Sequence, residues 1–297
     1  MSSLLISRFA PSPTGRLHLG HAYSALCAHD LAKGPAGAGN GRFLVRIEDI
    51  DPTRSRPEHV EGIFEDLRWL GLAWDGDVLV QSARLPLYAA ALDRMKAVGL
   101  VYPCFCTRAR IAAEIAGSAT APHGPALGPD GGPIYPGICR DLPPETRAAR
   151  IAAGEAHAWR LDMAKAAALA GPLLWHDSRA GAVVATPQIH GDVVLARKDA
   201  PTSYHLAVTV DDAAQGVTDI VRGEDLFAAT HVHRLLQALL GLPTPLYHHH
   251  ALLTDANGAR LAKRAGSPTL ASMRADGVDA SDLVARLRAK AIAARLS

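Results

Sequence analysis

Two histidines bracket a leucine and a glycine at His18-Leu-Gly-His21, directly after the segment Arg8-Phe-Ala-Pro-Ser-Pro-Thr-Gly15. Imidazoles at the start of a helix can donate hydrogen bonds to an anion, and the helix's unpaired N–H groups and dipole favour negative charge at the same place. Gly20 leaves room for a flat ring or a phosphate to approach the backbone. HxGH by itself is equally readable as a proline-rich loop running into a surface helix. Glu48 and Asp49 end an apolar stretch further on. In isolation they read as a solvated strand end, but beside a phosphate site Glu48 can clamp an ammonium group. Cys104, Cys106 and Cys139 fall within 36 residues and form a thiolate set suited to zinc, which takes four ligands. His123 is the conventional fourth ligand, and three reduced thiols in a loop core are the competing reading.

The elements that must position these groups follow from periodicity and breakers. Leu4, Leu5 and Ile6 are strand formers, Pro11, Pro13 and Gly15 end the strand, and a helical pattern runs from His18 through Leu31. A Gly/Pro/Ala connection leads to a second strand over 42–50, which predicts a βαβ unit with a parallel sheet. Its C-terminal edge, where open α/β sheets bind ligands, carries Glu48 and Asp49. Helices are predicted over 57–70, 86–97, 108–116, 229–240 and 279–294, and strands over 158–161, 192–196, 204–210 and 248–253. Residues 102–139 are rich in Gly and Pro and read as an insertion, and residues 219–226 return to the nucleotide fold. His248, His249 and His250 alternate on a strand and cannot share one metal, while His231 and His233 point apart on a helix start, so none is assigned.

Composition sets few further bounds. The 297 residues carry 31 Lys and Arg against 29 Asp and Glu, a net charge of +2, so no global basic field indicates nucleic acid. No apolar run approaches membrane-spanning length and no leader-like segment opens the chain, so a cytoplasmic location is expected. In a reducing compartment clustered cysteines favour metal over disulfide.

The run from Arg8 to His21 resembles the first signature of class I aminoacyl-tRNA synthetases, in the RFAPSPTG form of the glutamyl branch. The resemblance implies an α/β, Rossmann-like catalytic domain with a zinc-containing insertion and a short helical C-terminus. Residues 1–101 and 191–268 would be the two halves of the nucleotide-binding domain, 102–190 the insertion with an acceptor-like subdomain, and 269–297 the helical end. It implies that His18, Gly20 and His21 bind ATP and that both histidines stabilise charge at the α-phosphate. Glu48 would bind the α-amino group of the amino acid, and Arg8 a carboxylate, within a pocket formed by Arg8, Phe9, Ala10, Pro11 and Ser12. Tyr204 in YHLAVTVDD and Arg222 in VRGEDL match the same branch and would complete a pocket for one amine and two carboxylates, as in L-glutamate.

Residues 258–264 align with the second signature, the KMSKS loop, with Arg260 at the first lysine position, Ala262 at the serine position, and Lys263 keeping the lysine that neutralises departing pyrophosphate. Resemblance to small glutamyl-type synthetases supplies Tyr135 as fourth zinc ligand beside Cys104, Cys106 and Cys139. Only 34 residues follow Lys263, too few for an anticodon-binding region, and length, signatures and cysteines together resemble the glutamyl-queuosine tRNA(Asp) synthetase family. That family activates glutamate with Mg²⁺–ATP without tRNA, then transfers it to queuosine in the anticodon loop of tRNA(Asp). A monomer is expected. The alternatives are a truncated glutamyl-tRNA synthetase charging a tRNA 3′ end and a non-catalytic glutamate- or adenylate-binding paralogue.

Overall fold

The computed structural model describes residues 4–37, 39–118, 126–254 and 268–296. Lys263, Arg260, Ala262 and His123 lie outside them. The chain opens with β1 (Ile6–Phe9), α1 (Leu19–Lys33), β2 (Arg42–Ile47), α2 (Pro57–Trp69) and β3 (Leu79–Val80). The three strands are parallel, with Ile6 opposite Arg42 and Arg46 opposite Leu79, as the βαβ pattern requires. Helix α1 buries Ala22, Ala25 and Ala28, small residues that let it lie close to Phe43, Val45 and Ile47 of the sheet, with Leu26 filling the same core.

A middle section follows with α3 (Leu85–Ala97), β4 (Val101–Cys104), α4 (Arg108–Ser118), α5 (Pro144–Ala152), β5 (Ala158–Leu161), α6 (Met163–Ala170), β6 (Leu174–Asp177), β7 (Gly181–Val184) and β8 (Val194–Ala196). Strands β4, β5 and β8 form a separate antiparallel sheet, in which Cys104 stands opposite Ala158. The chain then builds α7 (Tyr204–Ala214), β9 (Asp219–Gly223), α8 (Ala229–Leu240), β10 (Leu246–His250), α9 (Leu270–Ala275) and α10 (Ala280–Leu296). Gly241 closes α8 in the left-handed conformation, at φ 66° and ψ 35°, which a side chain would oppose.

Strands β6, β10 and β9 are parallel neighbours, with β7 antiparallel at the edge. A seam joins this sheet to the first one: the Thr218 amide donates to the Ile6 carbonyl at 3.0 Å, and the Ile6 amide donates to Thr218 Oγ1 at 2.8 Å. Across the seam the strand order is β3-β2-β1-β9-β10-β6, a doubly wound order whose direction reverses between β1 and β9. The crevice at such a switch point is where ligands bind.

One predicted strand is overturned. Residues 204–210 are not a strand but the first two turns of α7. Val208, Thr209 and Val210 carry strand propensity, yet Leu206 and Ala207 are buried in the core shared with α3 and α8, and Val210 packs against it. Burial outweighs a preference worth under about 1 kcal/mol per residue. Among the described residues no helix is long and apolar enough to cross a membrane.

Candidate active site

A cleft of about 720 Å³ lies over the switch point and is lined by Arg8 to Ser12, His21, Glu48, Tyr204 and Arg222. The Pro-rich loop is fixed by backbone bonds: the Glu48 amide donates to the Pro11 carbonyl at 3.0 Å and the Arg56 amide to the Pro13 carbonyl at 3.1 Å. The loop therefore takes its shape from the end of β2 and the start of α2.

His18 is the N-cap of α1. Its Nδ1 accepts from the Gly20 amide at 3.1 Å, while His21 Nδ1 accepts from the His18 amide at 3.2 Å. The rings lie 3.8 Å apart. Because both Nδ1 atoms accept, each neutral ring carries its proton on Nε2, the tautomer suited to donating toward a phosphate. Gly20 lies in close approach to the cap, where a Cβ would sit 3.0 Å from His18 Cε1. His21 lines the cleft directly, whereas His18 and Gly20 reach it through this cap.

Four charged groups form a buried chain beneath the cleft. Arg8 Nε donates to Asp212 Oδ1 at 2.9 Å, Arg46 Nη1 to the same oxygen at 2.7 Å, and Arg46 Nη2 to Glu48 Oε1 at 3.1 Å. Burial pushes the Asp212 carboxyl up, but Arg46 and Arg8 more than offset this and hold it below its usual range. Glu48 moves the other way: burial raises it, and Arg46 and Arg8 only partly counteract that. Arg46 and Asp212 were not assigned from the sequence. Asp212 closes the quoted YHLAVTVDD motif, and a helical reading places it two turns from Tyr204, about 12 Å along the axis.

Arg222, on β9, is buried. Its Nε donates to His249 Nε2 at 3.1 Å, its Nη1 to His233 Nδ1 at 3.1 Å, and its Nη2 to Thr230 Oγ1. Tyr204, the first residue of α7, brings its hydroxyl to 3.5 Å from Nη1. The structure thus assembles Arg8, Glu48, Tyr204 and Arg222 in one cleft, together with two histidines that the sequence left unassigned.

The cysteine cluster stands apart, in the antiparallel section. The sulfurs of Cys104, Cys106 and Cys139 all lie within 4.8 Å of one another. The Tyr135 hydroxyl is 3.4 Å from Cys104 Sγ and 3.6 Å from Cys106 Sγ, and it accepts from the Cys139 amide at 2.9 Å. Three buried thiols and an oxygen at this spacing suit a tetrahedral zinc, whose ~2.3 Å bonds to sulfur set ligand atoms ~3.8 Å apart. Burial pushes the Cys106 thiol up to about 11 and raises the Tyr135 phenol, so without a metal both are protonated at neutral pH.

A doubly wound sheet whose switch point carries a histidine-capped helix and a cleft lined by the buried arginines Arg8 and Arg222 is the architecture of an α/β domain suited to anionic, nucleotide-like ligands. Residues 5–291 match the family model for the catalytic domain of class I tRNA synthetases (E and Q), and the chain belongs to that family. It is 50% identical over 285 residues to the glutamyl-Q tRNA(Asp) synthetase of Rhodobacter capsulatus, covering 94% of this chain and 98% of that protein. It is 44% identical to the glutamyl-Q tRNA(Asp) synthetase of Symbiobacterium thermophilum, covering 96% of this chain and 85% of that one. The fold matches the crystal structure of a glutamate tRNA ligase from Elizabethkingia meningosepticum in complex with its amino acid, with a TM-score of 0.71 and 25% identity. That match covers 92% of this chain and 53% of the ligase, so the chain spans about half the ligase's length.

Proposed function

We propose that this protein is a glutamyl-Q tRNA(Asp) synthetase: it activates L-glutamate with ATP, without tRNA, and transfers the glutamyl group to queuosine in the anticodon loop of tRNA(Asp). The observation that carries this reading is the charge pattern of the cleft, where one buried carboxylate, Glu48, shares the space with two buried guanidinium groups, Arg8 and Arg222. That set complements one amine and two carboxylates. The near-full-length identity to glutamyl-Q tRNA(Asp) synthetases supports the acceptor.

In this reading Glu48 takes the α-ammonium group, and Arg222 with Tyr204 takes the side-chain carboxylate. Arg8 faces the other carboxylate and, with Phe9, Ala10, Pro11 and Ser12, shapes the wall of the amino-acid pocket. An oxygen of the α-carboxylate attacks the α-phosphorus of ATP, the bond to pyrophosphate breaks, and glutamyl-adenylate forms. His18, Gly20 and His21 hold the phosphates, with the histidine Nε2 protons aimed at charge that builds on the α-phosphate, so catalysis is positioning plus electrostatic stabilisation. Lys263 neutralises pyrophosphate, and Mg²⁺ accompanies ATP. A nucleophile on queuosine then attacks the acyl carbon and AMP leaves. Cys104, Cys106, Cys139 and Tyr135 would hold one structural zinc. Residues 1–101 and 191–268 are read as the two halves of the nucleotide-binding domain around the 102–190 insertion; β6 of the insertion extends the second half's sheet.

The test is glutamate-dependent ATP–pyrophosphate exchange without tRNA, followed by transfer of labelled glutamate to tRNA(Asp) with and without queuosine. Exchange, with transfer confined to the queuosine-bearing tRNA, is expected. Transfer to tRNA(Glu) would instead indicate a 3′-end charging enzyme, and no exchange a non-catalytic binding protein.

A further inference from the structure

Arg8, Arg46 and Arg222 are all buried around one cleft, but they are neutralised differently. Arg8 and Arg46 share the Asp212 carboxylate, and Arg46 also holds Glu48. Among the described residues no carboxylate pairs with Arg222. Its partners are the imidazoles of His233 and His249 and the hydroxyls of Thr230 and Tyr204, and the face of the Tyr247 ring lies 5.3 Å away.

The direction of each proton is set by arginine, which can only donate. His249 Nε2 must accept from Arg222, so its proton is on Nδ1, which donates to Asp177 Oδ2 at 2.8 Å. Asp177 is anchored in turn, accepting the Arg179 and Ala180 amides at 2.9 Å on its other oxygen. His233 Nδ1 must likewise accept, so its Nε2 donates to His205 Nδ1 at 3.1 Å. Two chains, Arg222–His249–Asp177 and Arg222–His233–His205, therefore fix the guanidinium plane from two sides. Burial, with the Arg222 charge added, pushes His249 down to about 4 and His233 well below its ordinary range, so both are neutral at pH 7.

We propose that His233 and His249 are positioning residues that hold Arg222 through uncharged acceptors, leaving its positive charge for the side-chain carboxylate of the amino acid and thereby setting selectivity for an anionic over a neutral side chain. The inference rests on the glutamate-activating reading of the cleft. A carboxylate at either place would hold the guanidinium equally well but cancel its charge, and a buried charge is worth most when it has no counter-ion already. The negative charge on Asp177, at the end of the His249 chain, is spent on three backbone amides and is one step removed from the arginine.

Paired isosteric variants of the full chain separate charge from shape. His233→Asn and His233→Asp differ only in charge, as do Thr230→Asn and Thr230→Asp, and the second pair gives an independent route should one variant fail to fold. Exchange kinetics are measured with glutamate and glutamine. Each aspartate variant is expected to raise KM for glutamate about tenfold or more over its asparagine twin, to change kcat by less than about threefold, and to narrow the preference for glutamate over glutamine. The asparagine variants are expected to stay within about fivefold of the parent, because the neutral acceptor is retained. Equal KM values within both pairs would overturn the inference and leave the functional reading intact. Absence of glutamate-dependent exchange in the unaltered chain would overturn both.

Discussion

Replacing Asp212 by Asn tests the ionic chain beneath the cleft. The carboxylate oxygen of Asp212 accepts from Arg8 at 2.9 Å and Arg46 at 2.7 Å, with side-chain exposures of 7% for Asp212, 7% for Arg8 and 0% for Arg46. Asparagine keeps the shape and one acceptor oxygen but removes the charge, so Glu48 is the one carboxylate still paired with the two buried guanidinium groups, which otherwise keep the neutral acceptors Gln215 and the Val221 carbonyl. Removing one partner of a buried pair costs about 3–5 kcal/mol, and the retained acceptor places this case at about 3 kcal/mol. A loss of that size lowers the melting temperature by roughly 6–12 °C for a chain of this order. Urea and thermal unfolding at neutral pH measure it directly. Glu65→Gln is the internal control, because Glu65 pairs with Arg274 at 3.0 Å while 55% exposed, where a pair is worth under about 1 kcal/mol. A loss below about 1 kcal/mol for Asp212→Asn, or one equal to the control, would refute the assignment of these groups as a buried, mutually dependent network.

Three further outcomes are expected. Burial pushes His205 and His249 down to about 4 from 6.5, so between those pH values the unfolded chain binds protons that the folded chain does not. Stability should therefore fall as pH falls through that window, by up to about 1.36 kcal/mol per pH unit for each histidine; urea melts from pH 7 to 4 read the slope, and His205→Gln should make it shallower by the share of one histidine. Gly20→Ala places a Cβ 3.0 Å from His18 Cε1 and 3.2 Å from Nδ1, which displaces the ring and the cap. Pyrophosphate exchange should lose about ten- to a hundredfold in kcat with the glutamate KM nearly unchanged, and a fall confined to KM would contradict the phosphate role. Cys106→Ser should lower zinc, measured by elemental analysis of the purified chain, from one per chain to a small fraction, whereas a parent chain without zinc would remove the metal from the insertion.

Local features of the site were legible because they are written in consecutive residues. The Pro-rich loop, His18-Leu-Gly-His21 as the start of α1, and Glu48 at the end of β2 each follow from breakers and periodicity within a short window, and the parallel pairing of β1 with β2 follows from the helix between them. The three cysteines were likewise visible as residue types, Tyr135 came only from the family resemblance, and the structure brings all four together. What escaped was long-range. Arg8 meets Asp212 across 204 positions, and Arg46 meets it across 166. Arg46 lies inside a strand whose apolar run conceals it, and no local pattern pairs it with a carboxylate on a helix misread as a strand.

That misreading and the unassigned histidines share one cause. Asp211 and Asp212 near the C-terminal end of α7 oppose the helix dipole, so local rules argue against a helix there. Asp211 is stabilised instead by Arg84 at 2.8 Å, Tyr88 at 2.7 Å and Gln81 at 2.9 Å, and Asp212 by Arg8 and Arg46. Those partners come from other elements and outweigh a local penalty of a few tenths to about 1 kcal/mol. His233 and His249 follow the same logic from the opposite side: on their own elements they are members of a histidine pair and a histidine run with no visible partner, and only β9, by delivering Arg222 between α8 and β10, turns them into acceptors. A cleft lined by Glu48, Arg8 and Arg222 holds charges of both signs apart in a buried space, so its supporting partners have to come from several elements of the fold at once.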